Sequence, residues 1–270
     1  MKTFKFIMMT LVVCGGVKLY NDHIAWPANF APPSENAIAY SEEDERDFAF
    51  SLARATVEVH TAKGFGSGMI ISRDGWLLTA AHVVEGHEVV EIIPWRGAKI
   101  AGRVVYISKK YDFALVKVGA VFDNILGISS AEPLPGQRVH VMGHPYYRSY
   151  IYFKGLVRDA VPQNIIGWLA MDVDITIAPG MSGGPLVDDL GRIVGIVSAG
   201  DFPSDGFFSS AKYTNRAYFA PAYLFINELR AALRGEIAHE PTSQATKVQS
   251  TSIRAPILGP VGVLGVLRGW

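Results

Sequence analysis

Three short segments of this chain contain the residue types that activate a hydroxyl group for attack on a carbonyl carbon. His82 follows a pair of alanines, Asp112 directly precedes an apolar segment, and Ser182 lies in the glycine-rich residues 179–185. A serine hydroxyl is a weak nucleophile until an adjacent base removes its proton, and neutral histidine can do so near pH 7. A carboxylate can hold the imidazole in the required tautomer. The sequence therefore predicts a catalytic triad of Ser182, His82 and Asp112.

The glycines around Ser182 would let the backbone bend so that its N–H groups point at one spot. We expect the N–H groups of Gly180 and Ser182 to form an oxyanion hole, where removal of one donor typically lowers the rate by about 100- to 1,000-fold. Each of the three segments alone is more often structural, as a turn, a cap or a buried histidine. Their occurrence together, in the order His, Asp, Ser, favours chemistry.

The composition of the chain excludes several other classes of function. The chain has 270 residues, about half of them hydrophobic, and a formal net charge of zero, so no nucleic-acid partner is expected. Its one cysteine, Cys14, lies in an N-terminal apolar run, which excludes disulfides and cysteine chemistry from the globular part. The remaining histidines show no metal-ligand spacing, so we expect neither a metal nor a cofactor.

Alternation with a period of two begins at Thr56 and continues, with turn residues between the segments, in two groups of about six strands. The predicted strands are 56–60, 67–72, 76–79, 89–93, 100–107 and 113–118, then 138–143, 151–161, 167–171, 185–188, 193–198 and 217–220. This pattern predicts an all-β fold with two small barrels. A short helix is expected from an N-cap at Ser41 to about Ala53, and a closing helix after Pro221.

The N-terminus has the character of an export signal. Lys2 and Lys5 precede the uncharged residues 6–17, a run too short for a comfortable membrane span. We expect an exported protein that is periplasmic, secreted or anchored by this run and faces outward. The predicted division is a signal or anchor over 1–20, a linker and helix start over 21–47, barrels over 48–125 and 126–235, and a disordered tail over 236–270.

The triad segments resemble those of the trypsin-like serine proteases, and residues 66–76, 141–145, 174–180 and 195–200 resemble the HtrA/Deg branch. The resemblance covers about residues 50–235. It implies two six-stranded antiparallel barrels with the active site in the cleft between them. It also implies an endopeptidase that hydrolyses polypeptides through an acyl-enzyme without a cofactor. As a departure from the HtrA/Deg branch, we expect no PDZ module after residue 235, since too few residues remain there.

The resemblance assigns the residues that bind substrate, which are Thr176, Ile177, Ser198, Ala199, Gly200 and Tyr218. Tyr218 stands where the family usually has glycine, and Thr176 and Ile177 carry no charge at the base of the pocket. We therefore predict a preference for small aliphatic residues before the cut. Two further departures from the family are Met181, in place of Asp or Asn, and His144, in place of Asn.

Alternatives remain at this point. Met181 and Tyr218 are compatible with a catalytically weak protein that uses the same cleft for binding or as a chaperone. The apolar N-terminal run and C-terminal tail are compatible with a membrane-tethered assembly factor. The resemblance also implies a homotrimer formed through Phe48 and Phe50, although these rings could instead simply pack onto the first barrel.

Overall fold

The computed structural model describes residues 41–147, 150–165, 167–200 and 214–237. Helix α1 (Glu42–Arg54) begins after Ser41, as predicted. The Asp44 N–H donates to Ser41 Oγ (3.1 Å), and the Ser41 N–H donates back to Asp44 Oδ2 (3.1 Å). This reciprocal pair satisfies two N–H groups that the first turn leaves unpaired, which is why the helix starts here.

The first barrel contains β1 (Thr56–Thr61), β2 (Gly64–Ile70), β3 (Trp76–Thr79), β4 (Val89–Ile93), β5 (Ile100–Ile107) and β6 (Ala114–Val118). A four-residue helix, α2 (Ala81–Val84), follows β3. All pairings are antiparallel, and the closed order is β1-β2-β3-β6-β5-β4. Alternate Val, Ile and Leu side chains fill its interior.

The second barrel contains β7 (Arg138–Gly143), β8 (Ile151–Ile165), β9 (Trp168–Ile177), β10 (Pro185–Val187), β11 (Ile193–Gly200) and β12 (Thr214–Pro221). It also closes with antiparallel pairs, in the order β10-β11-β12-β9-β8-β7. Helix α3 (Ala222–Leu233) follows β12. The predicted all-β fold of two six-stranded antiparallel barrels with a helix at each end is confirmed.

Strand β9 is longer than predicted, because it continues from residue 171 to Ile177. Val173, Ile175 and Ile177 alternate into the core of the second barrel, and Ile177 still pairs with Thr214 of β12. The ladder therefore runs to within five residues of Ser182, so the segment before the serine is sheet instead of a free approach loop.

A shared apolar cluster joins the two barrels with helices α1 and α3. Phe113 at the start of β6 stacks on Phe225 of α3 with ring centroids 4.8 Å apart. Leu52 of α1, Met142 of β7 and Ile196 of β11 are buried in the same cluster. Burial of these five side chains, which come from both barrels and from helices α1 and α3, fixes the barrels against each other.

Several predictions fall outside the described residues: the signal or anchor over 1–20, the linker up to residue 40 and the tail beyond residue 237. Within the described ranges, no helix is both long and apolar enough to cross a membrane. The centroid of the Phe48 ring lies 4.6 Å from that of the His140 ring in the second barrel, and the half-exposed Phe50 ring lies nearly perpendicular to the Trp95 ring, with centroids 5.4 Å apart. The homotrimer stays a prediction.

Candidate active site

His82 and Asp112 meet at one edge of the first barrel. Helix α2 follows β3 and Asp112 precedes β6, and these two strands are neighbours that pair through Thr79 and Ala114. His82 Nδ1 lies 2.8 Å from Asp112 Oδ2, and the His82 backbone N–H donates to Asp112 Oδ1 (3.1 Å). Because the carboxylate only accepts, it holds the ring proton on Nδ1 and leaves Nε2 as the basic nitrogen.

The burial of these two groups differs. Asp112 is fully buried because its neighbours Tyr111 and Phe113 pack with Phe225 of α3. The His82 side chain is 38% exposed. The imidazole is therefore held from behind by a carboxylate that water does not reach, while the ring itself is open to solvent.

Ser198 provides a third hydrogen bond to Asp112, since its Oγ donates to Oδ2 at 2.5 Å. Ser198 is the extra residue of a β-bulge in β11, where Val197 pairs with Phe219 and Ala199 with Tyr218. A bulge redirects the side chain that it carries, and here it turns the hydroxyl toward the first barrel. Nothing in the sequence links these residues, because 86 positions separate them.

The loop that carries Ser182 lies between β9 and β10, and its successive peptide groups are held through their carbonyl oxygens. The carbonyl groups of residues 179, 180, 181 and 182 accept hydrogen bonds from Tyr146 N (3.2 Å), Ser67 Oγ (2.8 Å), Gly184 N (2.9 Å) and Ser67 N (2.7 Å), respectively. Ser67 belongs to β2, so the first barrel holds two of these four carbonyls.

The N–H groups of the same loop are used in alternation. The Met181 N–H donates to Ala178 O (3.1 Å) and the Gly183 N–H to Val197 O (2.8 Å). The N–H groups of Gly180 and Ser182 donate to no residue that the structure describes. These are the two donors that the sequence predicted for an oxyanion.

Glycine is required at position 180. Its φ is +99°, and a Cβ there would collide with the Phe65 ring and with the His144 carbonyl. An L side chain would therefore be strained both by backbone conformation and by lack of space. Met181, in contrast, is fully buried in the core of the second barrel.

Gly66 brings Ser182 and the histidine segment together. A Cβ on Gly66 would lie 2.9 Å from Ser182 O and 2.8 Å from a methyl of Val83, the residue after His82. No direct hydrogen bond joins the Ser182 hydroxyl and the His82 ring, which are both in the described part of the chain. Such bonds are often long without substrate and tighten in the complex.

Only some of the residues predicted to line a substrate pocket lie next to one another. Ala199 and Tyr218 lie opposite each other on β11 and β12. Thr176 Oγ1 donates to Asn215 Oδ1 (3.0 Å), and Ile177 packs in the barrel core. Arg216 was not anticipated: its guanidinium carbon lies 5.7 Å from the Tyr218 ring centroid.

His144 lies next to the loop that carries Ser182 and is fully buried. Burial lowers the pKa of its ring to about 4, with a further lowering by His60 and an opposing effect of Glu58. Its Nδ1 is 3.2 Å from Ser67 Oγ, and the edge of its ring meets Tyr150 at 4.6 Å. Among the described residues, no group of three or more His, Cys, Asp or Glu is arranged to hold a metal ion.

The chain resembles known proteins in family, sequence and structure. Residues 66–196 match the family model described as "Trypsin-like peptidase domain". A protein of Marinomonas sp. named "Probable periplasmic serine endoprotease DegP-like" is 34% identical over 147 residues, which are 53% of this chain and 31% of that protein. "Protease Do-like 1, chloroplastic" of Arabidopsis thaliana is 28% identical over 202 residues, which are 72% of this chain and 45% of that protein.

Solved structures share the fold. The serine endoprotease from Yersinia pestis superposes with a TM-score of 0.58 at 23% identity, covering 71% of this chain and 67% of that one. The HtrA-type protease AlgW with a tripeptide superposes with a TM-score of 0.61 at 24% identity, covering 70% and 64%. The chain spans about a third of the Marinomonas relative and under half of the Arabidopsis relative.

Proposed function

We propose that the chain is a serine endopeptidase in which Ser182 is the nucleophile, His82 the general base and Asp112 the residue that orients the base. The match of residues 66–196 to the trypsin-like peptidase family supports this. The proposal rests chiefly on the bond between His82 Nδ1 and Asp112 Oδ2 beside the glycine-rich serine loop. This bond leaves Nε2 as the basic nitrogen, on a side chain that is 38% exposed.

The reaction would proceed in two halves. In the first, His82 Nε2 takes the proton of Ser182 Oγ as the oxygen attacks the peptide carbonyl carbon. The negative charge that develops on the carbonyl oxygen would accept hydrogen bonds from the N–H groups of Gly180 and Ser182. The amine then leaves with the proton from His82. In the second half, His82 takes a proton from water as the water oxygen attacks the acyl carbonyl carbon, and it returns that proton to Ser182 Oγ as the ester bond breaks and the acid product leaves.

The substrates would be polypeptides with a small aliphatic residue before the cut. The opposition of Ala199 and Tyr218 supports a pocket that an aromatic side chain shortens. Thr176 and Ile177 offer no charge to a buried Lys or Arg, which would suffer a large desolvation penalty. Profiling against a peptide library should show cleavage after Ala and Val, and cleavage mainly after Arg or Lys would contradict this assignment.

The place of action would be outside the cytoplasm. Lys2 and Lys5 before the uncharged residues 6–17 support export. The names of DegP-like relatives, which include the word periplasmic, support the same location. Detection of the protein in a periplasmic or secreted fraction tests this.

Digestion of casein tests the activity itself. Ser182→Ala should lower turnover by about a millionfold, because the nucleophile is removed, while the thermal unfolding temperature stays near that of the parent. Ser129→Ala is a matched control, since it deletes a buried serine hydroxyl that accepts a hydrogen bond from the Ala131 N–H (3.2 Å) in the segment between the barrels. Digestion by Ser182→Ala at the rate of the parent and the control would refute the proposal.

A further inference from the structure

Ser67 contacts the nucleophile loop with its backbone and with its side chain. Its N–H donates to Ser182 O (2.7 Å), and its Oγ donates to Gly180 O (2.8 Å). Ser67 is fully buried on β2 of the first barrel, whereas the loop belongs to the second. These two bonds therefore cross between the barrels and hold the loop on either side of Met181.

The hydroxyl of Ser67 has one orientation that satisfies its neighbours. The Gly180 carbonyl can only accept, so the single hydroxyl proton points to it. The lone pairs of Oγ then accept from the His144 backbone N–H (3.1 Å) and from its ring Nδ1 (3.2 Å). This arrangement requires the ring proton on Nδ1, and the neutral ring that burial favours can provide it.

The rest of Ser67 is fixed as well. Thr79 Oγ1 donates to its carbonyl oxygen (2.7 Å), so all three polar atoms of Ser67 are hydrogen-bonded. Its position in the ladder is set by pairing with Glu58 of β1. The hydroxyl is therefore attached to a rigid strand and can act as a fixed reference for the loop.

The carbonyl that Ser67 holds belongs to a glycine in the left-handed region of backbone conformation. Gly180 has a φ of +99° and no side chain to restrict it. Rotation of its carbonyl away from Ser67 would move the Gly180–Met181 peptide and disturb the spacing between the N–H groups of Gly180 and Ser182. We propose that Ser67 is a positioning residue, whose hydroxyl keeps these two donors converged on the developing oxyanion. This inference rests on the proposed function.

Ser67→Ala tests the inference through a split between kcat and KM. Because both donors remain but lose their alignment, kcat per active site should fall by roughly 10- to 100-fold, less than when a donor is deleted outright. KM should stay within about threefold, since ground-state binding is unaffected. Active sites are counted by exhaustive labelling with a fluorophosphonate, and the second-order labelling rate should fall in parallel with kcat.

Thr56→Val is the matched control. Thr56 is also fully buried in the first barrel, and its Oγ1 donates to a backbone carbonyl, Leu52 O, at 2.8 Å. A purely structural role for Ser67 would lower the thermal unfolding temperature in both variants and leave kcat per active site at the parent value. Equal kcat in Ser67→Ala and Thr56→Val would therefore overturn the inference.

A second pair of variants covers a failure of Ser67→Ala to fold. Ser67→Thr keeps the hydroxyl, and Ser67→Val has the shape of threonine without the hydroxyl. The kcat of the threonine variant should therefore exceed that of the valine variant by roughly 10- to 100-fold. Equal rates in this pair also overturn the inference. A folded parent that neither labels nor hydrolyses peptides refutes the proposed function, and with it any role of Ser67 in that reaction.

Discussion

The two barrels share their topology but hold their parts of the site differently. Read from β7, the second barrel has the order β7-β8-β9-β12-β11-β10, which repeats the order β1-β2-β3-β6-β5-β4 of the first. His82 and Asp112 come from neighbouring positions of the first barrel and bond to each other directly. The serine loop of the second barrel is held partly by the first, through Ser67.

The two parts of the site are therefore held in different ways. His82 and Asp112 both come from the first barrel, and the second barrel adds one bond to the pair, from Ser198. The position of the Ser182 loop depends on how the two barrels meet. Substitutions within the first arrangement should therefore affect protonation chemistry, and substitutions at the junction should affect alignment.

The largest expected effect in this comparison is that of Asp112→Asn. The amide can donate to Nδ1, which would place the ring proton on Nε2 and remove the base, so kcat should fall by about 10⁴-fold. Nitrogen NMR of the His82 ring reports the tautomer directly. Asp189→Asn is a control in the second barrel, where that carboxylate bonds Arg138 and His140, and its kcat should match that of the parent. A parent-like kcat in Asp112→Asn would contradict the role of the acid.

A smaller effect is expected from Ser198→Ala, which removes the bond that Asp112 receives from the second barrel. Hydrogen bonds to charged groups contribute about 1.5–3 kcal/mol, and loss of part of this should lower kcat by roughly tenfold. His82 keeps both of its bonds to the carboxylate, so its tautomer should not change. If Ser198→Ala shifts the ring proton of His82 in the NMR spectrum, the first barrel does not fix the pair alone.

Most of the strands and the three triad candidates could be predicted from the sequence. Apolar alternation located the strands, because inward and outward positions alternate wherever a barrel has one wet and one dry face. The same rule would have extended β9, since Val173, Ile175 and Ile177 continue the pattern up to the serine loop. The three triad candidates stood out because their residue types rarely occur together by accident.

The supporting residues could not be predicted in the same way. Ser67 and His144 meet across 77 positions, and Ser198 reaches Asp112 through a bulge. Neither contact leaves a local pattern, because both depend on closure of the barrels and on their packing. The glycines on either side of Ser67, in Gly66-Ser67-Gly68, indicate only that some other backbone approaches there, and they do not identify it.

A further effect concerns stability instead of rate. The pKa of His144 is about 4 in the folded chain and near 6.5 when unfolded, so the unfolded state binds more protons between these values. The contribution of the neutral His144 ring to the free energy of unfolding should therefore be complete above pH 6.5. Below that pH the free energy of unfolding should fall by up to about 1.4 kcal/mol per pH unit toward pH 4. Glu58, His60 and Tyr150 are the titratable groups beside this ring.

Denaturant unfolding from pH 4 to pH 7 measures this slope. His144→Asn removes the titrating ring and should flatten the slope relative to the parent, even if it lowers stability at neutral pH. The same replacement at the surface, His87→Asn, controls for the loss of a histidine. An unchanged slope in His144→Asn would show that other groups produce the acid sensitivity.

Labelling with a fluorophosphonate followed by peptide mass spectrometry tests the central claim most directly. Only a serine that an adjacent base activates reacts readily with this reagent. We expect one adduct per chain, located on Ser182, and its loss in both His82→Ala and Ser182→Ala. An unlabelled, folded parent, or an adduct that persists on another residue in Ser182→Ala, would contradict the assignment of the triad.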